Sequence, residues 1–175
     1  MNYTRAVLAL GSNLGARRDT LSAAVADIVD PPEVRLQAIS PIFQNKAVGG
    51  PAGQPDFLNM VIAVDTLLTP LELLRHCHAV EQKHHRVRDV HWGPRTLDID
   101  IITYGELVTT DPELILPHPR AAERAFVLYP WSVMDPTAEL DGERVAELAA
   151  KASDFADLVP FDGYENLHGV AGAVE

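Results

Sequence analysis

Apolar residues fall into short runs separated by turn-rich clusters. Residues 5–10 form the first run, with Val7, Leu8 and Leu10, and it stops at Gly11-Ser12-Asn13-Leu14-Gly15. That order predicts a strand, a turn and then a helix. From Asp19 onward, Leu21, Val25, Ile28 and Val29 recur at helical spacing until Pro31-Pro32 ends the helix. Residues 34–45 read as a second strand, with Pro41 marking an edge or a bulge. Gly49, Gly50, Pro51, Gly53 and Pro55 make residues 47–56 a loop. Residues 57–67 are β-rich and alternate around Met60, Ile62 and Val64. Thr69-Pro70-Leu71-Glu72 predicts a helix start, with Thr69 as N-cap, Pro70 at the first helical position and Glu72 closing a capping box. Leu71, Leu74 and Cys77 carry that helix to about His85.

Residues 86–96 form a polar loop, and residues 97–104 alternate strictly. Leu97, Ile99 and Ile101 share one face; Asp98, Asp100 and Ile102 share the other. Gly105-Glu106 is a turn signal, a hairpin is expected after it, and Pro117-His118-Pro119 breaks the chain again. A short helix over 120–125, a last strand or extended segment over 126–129 and a short amphipathic helix over 145–151 follow. Signals weaken after Asp154. No repeat or linker separates the elements, so residues 1–175 read as a single domain. The return from 34–45 to 57–67 is too short for a crossover helix. The expected fold is therefore α+β, a ferredoxin-like sandwich of a mainly antiparallel sheet and packed helices.

Composition narrows the functional classes. A chain of 175 residues that is 47% hydrophobic and 22% charged is neither disordered nor collagen-like. Its apolar runs are too short to cross a bilayer, and no export signal is visible, so no membrane association is expected. With Cys77 as the single cysteine, no intrachain disulfide forms and a cytoplasmic setting is expected. The net charge of −11 argues against a nucleic-acid partner. The charge is unevenly placed. From Asp135 to the end, ten acids face only Arg144 and Lys151. From Arg75 to Arg95, five Arg/Lys and five of the seven histidines face two acids. Such an island suits a local anionic ligand or, equally, a solvated loop.

The sharpest chemical signal is Asp98-Ile99-Asp100, two carboxylates on one strand face roughly 6.5–7 Å apart. Such a pair suits a hard cation such as Mg²⁺ shared with substrate phosphates, or it is the acidic face of a half-exposed strand. Arg86, Arg88 and Arg95 lie just upstream, a pattern suited to polyphosphate. Trp92 in that loop reads as a packing anchor or a stacking surface, and Phe57 with Asn59 suits a nitrogen-rich ring. No P-loop is present. His76, His78, His84 and His85 lack the further ligands of a zinc site and read as a solvated helix end.

Together these residues resemble a known family. Ala9-Leu10-Gly11-Ser12-Asn13-Leu14-Gly15, Gln54-Pro55-Asp56-Phe57-Leu58-Asn59, Arg86-Val87-Arg88, Trp92-Gly93-Pro94-Arg95-Thr96-Leu97-Asp98-Ile99-Asp100-Ile101, and Pro117-His118-Pro119 with Arg124-Ala125-Phe126 occur in the order of the 6-hydroxymethyl-7,8-dihydropterin pyrophosphokinase (HPPK) family. They span about residues 3–136, leaving residues 137–175 as an acidic extension. The resemblance implies transfer of the pyrophosphoryl group of ATP to the pterin hydroxymethyl oxygen, with release of AMP and with two Mg²⁺ ions. It implies that Asp98 and Asp100 hold the metals and that Arg86 and Arg95 assist transfer with them. Glu81, His78, Arg88, Ile101, His118 and Arg124 would join those arginines around ATP, and Asn45, Val48, Phe57, Asn59, Trp92 and Phe126 would hold the pterin. Phe57 stands where a tyrosine is common and His78 where a glutamine is common. A monomer is expected. The alternatives are a non-catalytic nucleotide- or metal-binding module of the same fold and, less suited to the charge, an RNA-binding one.

Overall fold

Strand β1 (Thr4–Ser12) is buried from Ala6 to its end, on both faces. A strand of that kind needs cover above and below, and the computed structural model supplies it across the described residues 2–13, 16–46, 56–85 and 97–161. After β1 come α1 (Arg17–Ile28), β2 (Val34–Ile39), β3 (Phe43–Asn45), β4 (Phe57–Thr66), α2 (Pro70–His85) and β5 (Asp98–Tyr104). β6 (Thr109–Asp111) and β7 (Leu114–Leu116) form a hairpin. A 3-10 turn at Ala121–Glu123 leads into α3 (Ala125–Met134). The small hairpin β8 (Glu139–Leu140) and β9 (Glu143–Arg144), then α4 (Val145–Lys151) and β10 (Val159–Pro160), complete the described part of the chain.

The main sheet is antiparallel, in the order β10-β3-β4-β1-β5, with β2 also on β4. This is the expected α+β, ferredoxin-like arrangement. Alternation then sorts the core into two layers. Ala6, Leu8 and Leu10 of β1 face α1 and α2, meeting Leu21, Ile28, Leu73 and Cys77. Val7 and Ala9 face the other way, toward Val127, Leu128 and Trp131 of α3 and Val145 of α4. Each fully buried large apolar side chain contributes roughly 1.5–3 kcal/mol. The exposed ion pairs Arg5–Asp65 and Lys83–Asp27 are of a class worth about 0–1 kcal/mol, so the two apolar layers hold the fold.

The capping box of α2 is formed: Glu72 N–H donates to Thr69 Oγ1 and Thr69 N–H to Glu72 Oε1, both at 3.2 Å. Four expectations are corrected. Gly11 and Ser12 belong to β1 rather than to a turn. Residues 34–45 form two strands, because Pro41 has no N–H for the ladder. Ser40 mends the gap: its Oγ accepts Val61 N–H at 2.8 Å, and its N–H donates to Val61 O at 2.8 Å. Residues 126–129 are helical, within α3, and residues 120–125 contain only the 3-10 turn before it. α3 is apolar nearly all round because it lies between the sheet and α4, and it carries Pro130 inside it. Finally, His76 and His84 are not solvated. His76 Nε2 donates to Ile28 O at 2.8 Å and His84 Nε2 meets Asp27 Oδ2 at 2.9 Å, tying α2 to α1.

Residues 137–161 pack on this body rather than trailing from it: Leu140, Val145 and Ala149 are buried in the α3 layer. Among the described residues, no helix is long and apolar enough to cross a membrane.

Ser40→Ala is expected to leave the buried Val61 N–H without its acceptor, lowering stability by about 1–3 kcal/mol in urea titration. An unchanged midpoint and slope would show that the hydroxyl does not mend the ladder.

Candidate active site

The site grows from the register of three strands. On β1, Gly11 pairs with Asn59 of β4 on one side and with Asp98 of β5 on the other. Two residues earlier, Ala9 pairs with Val61 and with Asp100. Side chains at these positions project toward α3, since Ala9, Val61 and Ile102 all belong to that layer. Two small residues thus form a floor, with an amide on one flank and two carboxylates on the other. The first turn of α3 overhangs it through Arg124, Phe126 and Val127. The result is a cavity of about 470 Å³, within the range of small-molecule sites.

Space around Gly11 is tight. A Cβ there would stand 3.0 Å from Asn59 Oδ1 and 3.8 Å from Phe57 Cδ1. Asn59, 5% exposed, has little freedom to yield, because its Nδ2 donates to Asn45 Oδ1 across the β3–β4 pair. Asn45 is in turn held by its Nδ2–Lys46 O contact at 3.4 Å. Phe57 and Phe126 are half-buried in the wall, and the Arg124 guanidinium carbon lies 5.5 Å from the centre of the Phe126 ring.

On the acidic flank, Asp98 and Asp100 are half-buried and open into the cavity. His118 Nε2 lies 4.0 Å from Asp100 Oδ1, while its Nδ1 accepts Arg120 N–H at 3.2 Å. Burial pulls the His118 pKa below its ordinary value, against the pull of Asp100 and with the help of Arg124 and Arg120. With Nδ1 accepting the Arg120 N–H, the Nε2 side of the ring is the one that faces Asp100. Glu81 lies behind the strand: its Oε2 accepts Ile99 N–H at 3.0 Å. Burial pushes its pKa up, the Ile99 N–H opposes this, and Asp98 adds to the rise.

Among the described residues, no group of three or more His, Cys, Asp or Glu side chains is placed to hold a metal ion. The donor set here is two carboxylates on one face of a strand. That fits Mg²⁺, which keeps several waters and takes one or two carboxylates together with substrate phosphates.

The cavity gathers Asn45, Phe57, Asn59, Asp98, Asp100, Arg124 and Phe126 of the residues singled out from sequence. Ile101 is 3% exposed and packs in the α1–α2 layer, away from this cavity, and His78 is exposed on α2. Val48, Arg86, Arg88, Trp92 and Arg95 lie outside the described residues. Lys46, Arg120 and Asp154 also line the cavity, and no sequence motif singles them out. Arg120 stands four residues before Arg124, a spacing that hints at a shared face; Asp154 offers no local signal.

Comparison with known proteins assigns the chain to a family. Residues 7–136 match the family model of 7,8-dihydro-6-hydroxymethylpterin-pyrophosphokinase (HPPK). A protein of Pseudomonas aeruginosa named 2-amino-4-hydroxy-6-hydroxymethyldihydropteridine pyrophosphokinase is 45% identical over 94% of this chain and 98% of its own length. A protein of that name from Methylorubrum extorquens is 41% identical over 85% of this chain and 93% of its own. Among solved structures, Plasmodium falciparum HPPK-DHPS with pterin and p-hydroxybenzoate superposes with a TM-score of 0.68 at 12% identity. That match covers 91% of this chain and 46% of the other, and it supports the fold alone. With the family model spanning the three strands that build the cavity, and with relatives matched over nearly their whole length, the chain belongs to the HPPK family.

Proposed function

We propose that the cavity beside Gly11 is the pterin subsite of the HPPK reaction, and that Asp98 and Asp100 hold two Mg²⁺ ions beside it. One observation carries this reading: the register sets Asn59 and Asp98 on either side of the same glycine, so amide and carboxylate open into one space. In the reaction, the pterin hydroxymethyl oxygen bonds to the β-phosphorus of ATP. The bond from that phosphorus to the α–β bridging oxygen breaks, AMP leaves with the oxygen, and the hydroxyl proton passes to solvent. Such a transfer needs positioning and charge neutralisation more than a strong base.

The chain's own groups have separable parts. The Asn59 amide, fixed by Asn45, keeps its Oδ1 and one N–H for the alternating donors and acceptors of a pterin edge. Phe57 and Phe126 offer flat apolar walls. Arg124 and Arg120 face the same space with guanidinium forks suited to phosphate oxygens. Mg²⁺, when bound, neutralises triphosphate charge and orients the chain of phosphates. Glu81, His78, Ile101 and His118 are assigned to the nucleotide side by motif, supported for His118 by its approach to Asp100. Arg86, Arg88, Arg95, Trp92 and Val48 are assigned by motif alone, with Arg86 and Arg95 assisting transfer.

We read residues 1–175 as one domain, supported by the packing of residues 137–161 on α3, and as a monomer that works in the cytoplasm. The single cysteine, Cys77, is fully buried, and its thiol is pushed up to about 12, chiefly by burial, so it is unreactive in place. Release of AMP from ATP only in the presence of 6-hydroxymethyl-7,8-dihydropterin is the assay that separates this reading from a non-catalytic module.

Asp98→Ala or Asp100→Ala is expected to lower kcat by about 100-fold or more, because each removes a preorganised charge at the reacting phosphates. The fold should survive either change, since both carboxylates are only half-buried and the apolar layers are untouched. Normal turnover by either variant at ordinary Mg²⁺ would sink the metal assignment.

In calorimetry, Asn59→Ala is expected to weaken pterin binding by roughly 5- to 150-fold, the cost of an unpaired buried partner. Phe126→Ala should weaken it too, and binding of a non-hydrolysable ATP analogue should survive both changes. The reverse pattern, with ATP affinity lost and pterin affinity kept, means the two subsites are exchanged.

A further inference from the structure

α3 starts without a cap of its own. Its N-cap residue, Arg124, makes no side-chain cap hydrogen bond. The first N–H groups of a helix have no partner within it. Here the Ala125 N–H donates to Asp154 Oδ1 at 2.9 Å, a contact that spans 29 residues. A carboxylate at that end also complements the helix dipole. The residues on either side of Ala125 are Arg124 and Phe126, and both line the cavity, as does Asp154.

The segment that begins at Asp154 grips the opposite bank as well. The ring of Phe155 packs edge-on against Tyr129 of α3, with centroids 5.4 Å apart, and Tyr129 packs in the same way on Phe43 of β3 at 5.0 Å. β10 then pairs with β3 through Val159 with Gln44 and Pro160 with Phe43, and Phe161 N–H donates to Ile42 O at 3.1 Å. The next residue of β3 is Asn45, which holds the Asn59 amide. Residues 154–161 therefore fasten both the helix turn that carries Phe126 and the strand end that carries Asn45. All of them lie beyond residues 7–136, the span matched by the family model.

We propose that Asp154 is a positioning residue for the pterin subsite: its carboxylate, by holding the Ala125 N–H, fixes the turn that presents Phe126 to the cavity. The inference rests on the reading of Phe126 as a pterin-contacting wall. Asp154 reaches the substrate through α3, and the phosphate-side groups Asp98 and Asp100 stand on a different element.

The test is steady-state kinetics of Asp154→Ala, Asp154→Asn and Phe126→Ala in the full chain, with 6-hydroxymethyl-7,8-dihydropterin and ATP varied in turn. Asp154→Ala is expected to raise the pterin KM about tenfold, within the range set by loss of a helix cap. Its kcat at saturating pterin should stay within about twofold, which a general loss of folded protein would not allow. Asp154→Asn should restore the KM, since its Oδ1 accepts the same N–H. Should Asp154→Ala not fold, Asp154→Gln, whose longer side chain misplaces the acceptor, carries the same expectation. If Phe126→Ala raises the pterin KM and Asp154→Ala does not, the positioning role is overturned while the subsite stands. A kcat loss without a KM change, or an Asn variant as impaired as the Ala variant, overturns it too. If Phe126→Ala itself leaves the pterin KM unchanged, the subsite reading falls and takes this inference with it.

Discussion

Gly11 carries a hydrogen where any other residue would carry a Cβ, and the form of the cavity depends on that difference. The ladder of β1 fixes which residues of β4 and β5 stand beside it, and those residues are Asn59 and Asp98. Because side chains alternate, one register choice sends Asn59, Asp98 and Asp100 to the same side of the sheet. A slip of one residue would turn all of them into the α1–α2 layer. The two apolar layers, which resist such a slip, thus also hold the chemistry in register.

The second layer explains why a cavity exists at all. α3 and α4 cover the face of the sheet that carries Val7, Ala9, Val61 and Ile102. Their cover stops at Phe126, beyond which the floor narrows to Ala9 and Gly11. Small residues below and the start of a helix above leave room for a flat molecule. The walls stand mainly on strands and on a helix end anchored from Asp154, so the geometry exists before any ligand arrives. Preorganisation of that kind lowers the ordering cost of binding.

Much of this was legible in the sequence because it rests on local period. The alternation over residues 97–104 placed Asp98 and Asp100 on one face, and the capping box placed the start of α2. The order of elements gave the antiparallel sheet. Where burial overrides local preference, the pattern misled. Residues 126–129 are aromatic and β-rich and precede a proline, yet they are helical because both the sheet and α4 cover them. Gly11 and Ser12 look like a turn, yet β4 and β5 on either side keep them in the strand. Within the site, Asn59 and Phe57 could be read from a contiguous motif. Arg120, Lys46 and Asp154 could not, because their place at the cavity depends on contacts between distant parts of the chain.

On the proposed reading of the cavity, the missing side chain at position 11 keeps the Asn59 amide in place for the pterin. Calorimetric titration of Gly11→Ala with 6-hydroxymethyl-7,8-dihydropterin, in the presence of a non-hydrolysable ATP analogue, tests it most directly. A Cβ 3.0 Å from Asn59 Oδ1 is closer than ordinary van der Waals contact, so the amide, which is tied to Asn45, has to give by a few tenths of an ångström. Pterin affinity is expected to fall by about tenfold or more, with affinity for the ATP analogue alone changed by less than about twofold. Unchanged pterin affinity in a folded Gly11→Ala protein would contradict it.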